Sequence, residues 1–187
     1  MTELNSQQLL DEYVIIHGNL PTYGAGNTAY LSDINQFIQD YGPTSILDFG
    51  CGKGGLVDWL RKIHPEVEAV GYDPCVEGFQ SLPDRKFDMV ISTDVFEHFH
   101  PHLVVQELEK VASLALQFCY FTVSTRPAKQ VLPTTGEQCH TTLCPPLWWH
   151  RAIEVAFPEF AMLREDNHNR VDSVFKLVNN SYVEATR

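Results

Sequence analysis

The chain has 187 residues, of which 44% are hydrophobic and 20% are charged, and this composition is typical of a globular domain. It holds 13 Lys and Arg against 24 Asp and Glu, which gives a formal net charge of −11. Proteins that bind nucleic-acid backbones place Lys and Arg against the phosphates, so this charge argues against a nucleic-acid substrate.

Predicted helices and strands alternate along the chain. In order they are helices over 6–18 and 30–41, a strand over 45–49, a helix over 56–63, strands over 68–72 and 87–92, a helix over 101–115, a strand over 117–123, a helix over 148–156, and strands over 160–164 and 171–178. The alternation predicts an α/β fold with a doubly wound, mainly parallel sheet. The last two strands, joined by a polar turn over 165–170, are expected to close the sheet as an antiparallel hairpin.

Two loops are rich in turn residues. Residues 21–27 are expected to form either a lid over a ligand or an ordinary helix connection. Residues 125–147 contain four prolines, and ordered loops of this length often serve as lids or binding loops. The adjacent Trp148 and Trp149 that follow point about 100° apart on a helix, so only one of them is expected to pack on the sheet.

Membrane and disulfide signals are absent from the sequence. No apolar run approaches the roughly 18 residues that cross a bilayer, and the N-terminus lacks the features of a secretory signal. The five cysteines are odd in number and form no Cys-x-x-Cys pair, which argues against a disulfide framework. Free thiols suit a reducing compartment, so we expect a soluble, cytoplasmic protein with no membrane partner.

A glycine-rich loop connects the strand over 45–49 to the next helix. Its glycines, Gly50, Gly52 and Gly54, alternate along the chain and permit close approach of a ligand to the backbone. A dinucleotide-binding loop usually reads Gly-x-Gly-x-x-Gly and holds a pyrophosphate. Here Asp48 precedes the first glycine and would repel a pyrophosphate. Its carboxylate suits a cationic ligand, such as the sulfonium and α-amino groups of S-adenosylmethionine (SAM).

Two polar elements follow at the ends of later strands. Asp73 ends the strand over 68–72, roughly twenty residues beyond the glycines, where an acid can bind ribose hydroxyls. A strand-terminating Asp-Pro turn is the structural alternative. Asp94, Glu97 and His98 follow the strand over 87–92, and ligands of open α/β sheets bind beyond the carboxyl ends of the strands.

With these motifs the sequence resembles the class I SAM-dependent methyltransferases, which have a Rossmann-like fold. The matching motifs are residues 46–54, 71–73 and 87–98, and the match covers residues 45–124. The resemblance implies that SAM is the cofactor and S-adenosylhomocysteine (SAH) the product. The cofactor-binding residues that it implies are Asp48, Gly50, Cys51, Gly52, Gly54, Asp73, Pro74, Asp94 and Val95.

The sequence departs from the family between residues 74 and 86. The family usually has a helix and a further strand in this interval, and the segment is too short for both. We therefore expect the third, edge strand of the family to be missing or vestigial. The acidic residue that often contacts adenine after that strand is not identifiable.

The sequence also contains candidate residues for the catalytic chemistry. Methyl transfer requires the acceptor to lie opposite the sulfur, and it needs a base only where the acceptor loses a proton. Asp94, His98 and His140 are the candidate catalytic residues. Alternatively, Glu97 and His98 merely brace a strand-to-helix connection, as in many family members. Some similar methyltransferases with an acid-x-x-Glu-His run and a distant histidine bind a divalent metal, so a metal stays open here, although none is expected.

We expect residues 1–187 to form a single methyltransferase domain. Residues 1–42 would supply two helices and a lid on the cofactor side, 43–124 the cofactor-binding core, and 125–187 the acceptor-side loop, helix and hairpin. The expected reaction is methyl transfer from SAM to a small-molecule hydroxyl or amine. The alternatives are a catalytically silent SAM-binding module that acts through a partner, a metal-assisted O-methyltransferase, and a nicotinamide-dependent oxidoreductase.

The charge of Asp48 separates the methyltransferase hypothesis from the oxidoreductase one. We expect calorimetric titration to detect binding of SAM and SAH but not of NAD, because the carboxylate attracts the α-amino group of both ligands and the sulfonium of SAM and repels a pyrophosphate. Tight NAD binding without SAM binding would contradict this interpretation.

Overall fold

The structure is a computed structural model that describes residues 4–26, 28–168 and 172–185. Its elements are α1 (Ser6–Asn19), α2 (Leu31–Tyr41), β1 (Ser45–Phe49), α3 (Gly55–Ile63), β2 (Glu68–Tyr72), β3 (Phe87–Thr93), a 3₁₀ turn (Phe96–His98), α4 (Pro101–Leu114), β4 (Ala115–Ser124), α5 (Pro146–Ala156), β5 (Phe160–His168), β6 (Asp172–Asn179) and α6 (Asn180–Ala185). None of the described helices combines the length and apolar character needed to span a membrane. All five cysteines are free thiols.

The six strands form one sheet in the order β2-β1-β3-β4-β6-β5. Strands β1 to β4 pair in parallel, whereas β6 pairs antiparallel with both β4 and β5. Parallel neighbours need a crossover, and α3 and α4 supply two of these connections. The predicted Rossmann-like α/β fold with a C-terminal antiparallel hairpin is therefore confirmed.

Helices cover both faces of the sheet. Neighbouring strand residues point to opposite faces, so Ile46 packs in the cluster that includes α2 and α3, while Leu47 packs in the cluster that includes α4 and α5. Such burial on both sides explains why the central strands are mostly apolar. Of the adjacent tryptophans, Trp149 is buried in the second cluster, and Trp148 is only half-buried at its margin.

Helix α1 packs apart from both sheet faces. A capping box starts it, in which the Gln8 N–H donates to the Asn5 side chain and the Asn5 N–H donates to the Gln8 side chain. Its buried face, which includes Leu9 and Ile16, meets Leu132 in the long loop after β4. Helix α2 instead packs its buried residues Ile34, Phe37 and Ile38 against one face of the sheet.

Residues 74–86 form neither a helix nor a strand, so β2 lies at the edge of the sheet. This confirms that the third strand of the family is missing.

The prediction of a polar turn over residues 165–170 is wrong for residues 165–168. Strand β5 continues through His168, and its pairing with β6 runs from Phe160 opposite Asn179 to His168 opposite Asp172, with one irregularity. Backbone hydrogen bonds hold an edge strand whether or not its side chains are apolar, which is why hydropathy ends the strand too early. The rest of that predicted turn lies outside the described residues.

The two tryptophans provide a matched test of the core. We expect Trp149→Ala to lower the free energy of unfolding by about 3–5 kcal/mol, because it leaves a large cavity among packed side chains. Trp148→Ala should cost about 1–2 kcal/mol, since that ring is already partly hydrated. Denaturant unfolding measures both values, and equal losses would contradict the assigned packing.

Candidate functional site

A cavity of about 670 Å³ opens where β1, β2 and β3 end. Its walls come from these strand ends, from α1, and from the two loops that the sequence singled out as rich in turns. The predicted cofactor-binding residues that line it are Asp48, Gly50, Cys51, Gly52, Asp73, Pro74, Asp94 and Val95. Gly54 does not line the cavity, but it ends the same loop as the N-cap of α3.

The glycine loop is in close contact with the loop that precedes α2. Gly52 has φ 53°, and a Cβ there would lie 2.2 Å from the carbonyl oxygen of Gly24. The Lys53 N–H donates to this same oxygen at 2.7 Å, and the Lys53 ammonium donates to the carbonyls of Leu20 and Pro21. Only glycine fits at position 52. Residues 22–26 therefore form a wall of the cavity, while Asn27 of the predicted lid lies outside the described residues.

Asp73 ties the glycine loop to the end of β2. One carboxylate oxygen accepts a hydrogen bond from the Gly52 N–H at 2.9 Å, and the other accepts one from the Cys75 N–H at 2.9 Å. The second bond is the local turn contact that the structural alternative describes. Each oxygen has a second lone pair, so the turn and a ligand contact are compatible.

Asp48 is buried beneath the glycine loop, with 3% of its surface exposed. Burial, and then the nearby Asp73 carboxylate, raise the pKa of Asp48 to about 7. Both causes disfavour its charged form. A cationic ligand beside Asp48 would favour the ionised carboxylate, in line with the predicted sulfonium or ammonium partner.

Asp94 turns the chain sharply at the end of β3. It is a non-glycine residue with positive φ, 55°, a conformation that aspartate adopts more readily than most residues. Its carboxylate accepts a hydrogen bond from the Thr122 hydroxyl at 2.8 Å, and its N–H donates to the Thr122 carbonyl at 3.1 Å. The turn sets Val95 against Gly50, where a Cβ would lie 2.3 Å from a Val95 methyl group.

His98 is fixed by Tyr13 and by two backbone groups. Nδ1 lies 3.0 Å from the Tyr13 hydroxyl and 3.2 Å from the Cys139 carbonyl. The Tyr13 hydroxyl donates to that carbonyl at 2.8 Å, and the ring also forms a hydrogen bond with the backbone of Asp94. Burial, and then the neighbouring His140, lower the pKa of His98 to about 3. The ring is therefore neutral at physiological pH.

The long loop after β4 brings His140 to the same place. The Thr141 hydroxyl donates to the His98 carbonyl at 3.0 Å, and the Thr142 hydroxyl donates to the Phe99 carbonyl at 2.6 Å. The His140 Nδ1 lies 2.6 Å from the Arg126 carbonyl, which can only accept, so Nδ1 is the donor and Nε2 is free. The rings of His98 and His140 are 4.9 Å apart, edge to face.

Glu97 is buried next to the two histidines. One carboxylate oxygen accepts from the Ser124 N–H at 2.9 Å, and the other has no hydrogen-bond partner among the described residues. Burial, and then Asp94, raise the pKa of Glu97 well above its ordinary value. One ligand atom from each of Glu97, His98 and His140 lies within 4.8 Å of the others. Asp94, which the metal hypothesis included, is not in this group.

Several residues that line the cavity were missed by sequence reasoning. Tyr13 and His17 lie one turn apart on α1, and the buried Nδ1 of His17 has no partner among the described residues. A polar aromatic pair on an otherwise apolar helix face was the available signal. Glu107 and Lys110 of α4 also line the cavity, although their sequence pattern is that of an ordinary surface ion pair.

Comparisons with known proteins agree with this architecture. A family model described as a methyltransferase domain matches residues 24–170, whereas a search of curated proteins finds no match. The fold is similar to that of magnesium protoporphyrin IX methyltransferase from Synechocystis PCC 6803 with bound SAM, with a TM-score of 0.66, 13% identity, and coverage of 96% of this chain and 100% of that chain.

Two further solved structures share the fold. The N-methyltransferase NodS from Bradyrhizobium japonicum WM9, in complex with SAH, has a TM-score of 0.57 and 9% identity over 92% of this chain and 98% of that chain. The plantazolicin methyltransferase BpumL, in complex with a monoazolic desmethyl analogue and SAH, has a TM-score of 0.60 and 15% identity over 93% and 97%.

The raised pKa of Asp48 predicts a pH-dependent stability. An unfolded aspartate titrates near pH 4, so between about pH 4 and pH 7 the folded protein holds a proton that the unfolded chain releases. Stability relative to Asp48→Asn should therefore fall as pH rises through this window, by about 1.4 kcal/mol per pH unit. Denaturant unfolding of both proteins measures the difference. The exposed Asp58→Asn serves as control, and a difference that does not vary with pH would contradict the prediction.

Proposed function

The chain belongs to the methyltransferase-domain family of class I SAM-dependent methyltransferases, and we propose that it transfers the methyl group of SAM to a hydroxyl or amine of a small molecule. SAM is the methyl donor and SAH the product. The fold alone does not determine the acceptor atom, because proteins that share it include N- and O-methyltransferases.

One observation carries the proposal: a single cavity joins the glycine loop to the residues that follow β3 and β4. Asp48 and Asp73 line one part of it, while Asp94, His98 and His140 line the other. Small-molecule sites usually occupy about 300–1,000 Å³, so a volume of about 670 Å³ suits the cofactor together with a small acceptor.

The roles of the cofactor-binding residues follow from their places along the cavity. Asp48 and the loop of Gly50, Cys51, Gly52 and Gly54 would hold the methionine portion of SAM. Asp73 would bind the ribose hydroxyls, with Pro74 beside the adenine. Asp94 and Val95 would border the methyl group. In this order the cofactor would lie across the strand ends, and its methyl group would face His98 and His140.

Among the three candidate catalytic residues, we favour His140 as the base, because the low pKa of His98 argues against that ring. A base works best when its pKa lies near the working pH, and a pKa of about 3 makes His98 a weak one. The free Nε2 of His140 is a proton acceptor within the cavity. His98 and Asp94 would then position the acceptor, since both are already fixed by hydrogen bonds.

Metal-assisted O-methylation is a second candidate, and a specific arrangement supports it. One Glu97 carboxylate oxygen has no hydrogen-bond partner among the described residues, and one ligand atom from each of Glu97, His98 and His140 lies within 4.8 Å of the others. Backbone carbonyls lie beside the Nδ1 atoms of both histidines. Backbone acceptors of this kind commonly orient metal-bound histidines. Two imidazoles and one carboxylate suit a borderline divalent metal such as zinc. These residues would hold the ion, which would bind and polarise a hydroxyl acceptor.

Turnover of SAM across a panel of hydroxyl and amine acceptors tests the proposal. We expect SAH formation with at least one small acceptor. His140→Ala should lower kcat by about 10²–10⁴-fold while leaving the KM for SAM nearly unchanged. His102→Ala, which changes an exposed imidazole outside the cavity, is the matched control. SAM binding without turnover on any acceptor would instead indicate the silent binding module.

A chelator separates the two mechanisms. Activity that is lost on chelation and restored by a divalent metal would establish the metal-assisted reaction, in which Glu97→Gln should abolish metal binding. Activity that is unaffected by chelation would favour general-base catalysis. Full activity in both Asp94→Ala and His140→Ala would exclude either mechanism at these residues.

A further inference from the structure

The cavity is bordered by the end of β2 and by the first residues of the segment that replaces the family's additional strand. Of residues 74–86, only Pro74 and Cys75 line it. Proline has no side-chain donor or acceptor, and a thiol is a weak one. The segment that usually contacts the adenine thus supplies little side-chain hydrogen bonding here.

Helix α4 brings two charged side chains to this end of the cavity. Glu107 and Lys110 lie one turn apart on the same helix face, and the Lys110 ammonium is 2.6 Å from a Glu107 carboxylate oxygen. The Glu107 side chain is only 13% exposed. Tyr72 at the end of β2 and Phe99 line the cavity as well. Burial, and then the Glu107 carboxylate, raise the pKa of Tyr72, in line with the proximity of this carboxylate to the end of β2.

The chemistry of this pair matches one edge of adenine. Adenine carries an amino group that donates hydrogen bonds next to a ring nitrogen that accepts them. A carboxylate accepts and an ammonium donates, so a neighbouring Glu–Lys pair offers the complementary pattern. The apolar surfaces of Pro74 and Phe99 are suited to the ring faces.

We propose that Glu107 and Lys110 recognise the adenine edge of the bound SAM and replace the acidic residue that the missing strand would have carried. The proposal rests on the proposed function, because it takes SAM to be held by the glycine loop and Asp73. Those contacts fix the register of the base against α4. In that register the Glu107 carboxylate accepts from the amino group, and the Lys110 ammonium donates to the ring nitrogen.

Calorimetric titration with SAH and with S-inosylhomocysteine tests the proposal. The second ligand replaces the amino group by a carbonyl oxygen and carries a hydrogen on the neighbouring ring nitrogen, so in the proposed register Glu107 would face an acceptor and Lys110 a donor. We expect the wild-type protein to prefer SAH by about tenfold or more, as for the loss of one charge-assisted hydrogen bond. In Glu107→Gln the preference should shrink to about twofold, because an amide can also donate to the carbonyl. Glu109→Gln, an exposed change on the same helix, should keep the wild-type preference.

A second variant separates a loss of ligand binding from a loss of folding. Lys110→Met removes the donor to the ring nitrogen, and we expect it to weaken SAH binding by about tenfold without changing the circular dichroism spectrum. Two outcomes would overturn the proposal. One is that the wild-type protein binds both ligands equally well. The other is that Glu107→Gln keeps the full preference for SAH while Lys110→Met binds SAH as tightly as the wild-type protein does. Failure of the wild-type protein to bind SAH at all would refute the proposed function itself.

Discussion

The close approach of two backbone segments, at Gly24 and Gly52, is the constraint on which the site depends. A side chain at residue 52 would collide with the Gly24 carbonyl, and this same carbonyl accepts a hydrogen bond from Lys53. Through this contact the N-terminal region becomes a wall of the cavity. The wall in turn places Tyr13 of α1 within hydrogen-bonding distance of His98, so the glycine loop also influences the geometry at the opposite end.

The part of the cavity around His98 and His140 is held by backbone carbonyls. The carbonyls of Cys139 and Arg126 fix the orientation of His98 and His140, and the carbonyl of His98 accepts from Thr141. Such contacts orient each imidazole without a charged partner. The arrangement therefore presents two imidazole rings to the cavity in a protein of strongly negative net charge.

The local pattern of glycines and acids at strand ends was enough to predict which residues line the cavity at the ends of β1, β2 and β3. Asp48, Asp73 and Asp94 each follow an apolar run, and parallel strands bring such positions to one edge. The approach of His140 to His98 could not be derived in the same way, because it depends on the path of a long loop that no periodicity describes. Glu107 and Lys110 were not predicted for another reason. Their spacing is that of a common surface ion pair, and nothing in the sequence places that pair at the cavity.

The loss of that strand also has a consequence for how the protein behaves at high concentration. It leaves β2 as an outer strand, and an exposed strand edge can pair with another molecule and start aggregation. The short strand carries the exposed Glu68, which pairs with Arg85 at 2.5 Å, and the Arg85 guanidinium lies 4.1 Å from the centre of the Phe87 ring. Charges at an edge oppose such pairing. The charged pair at the start of this edge strand thus opposes pairing with a second molecule, which favours colloidal stability.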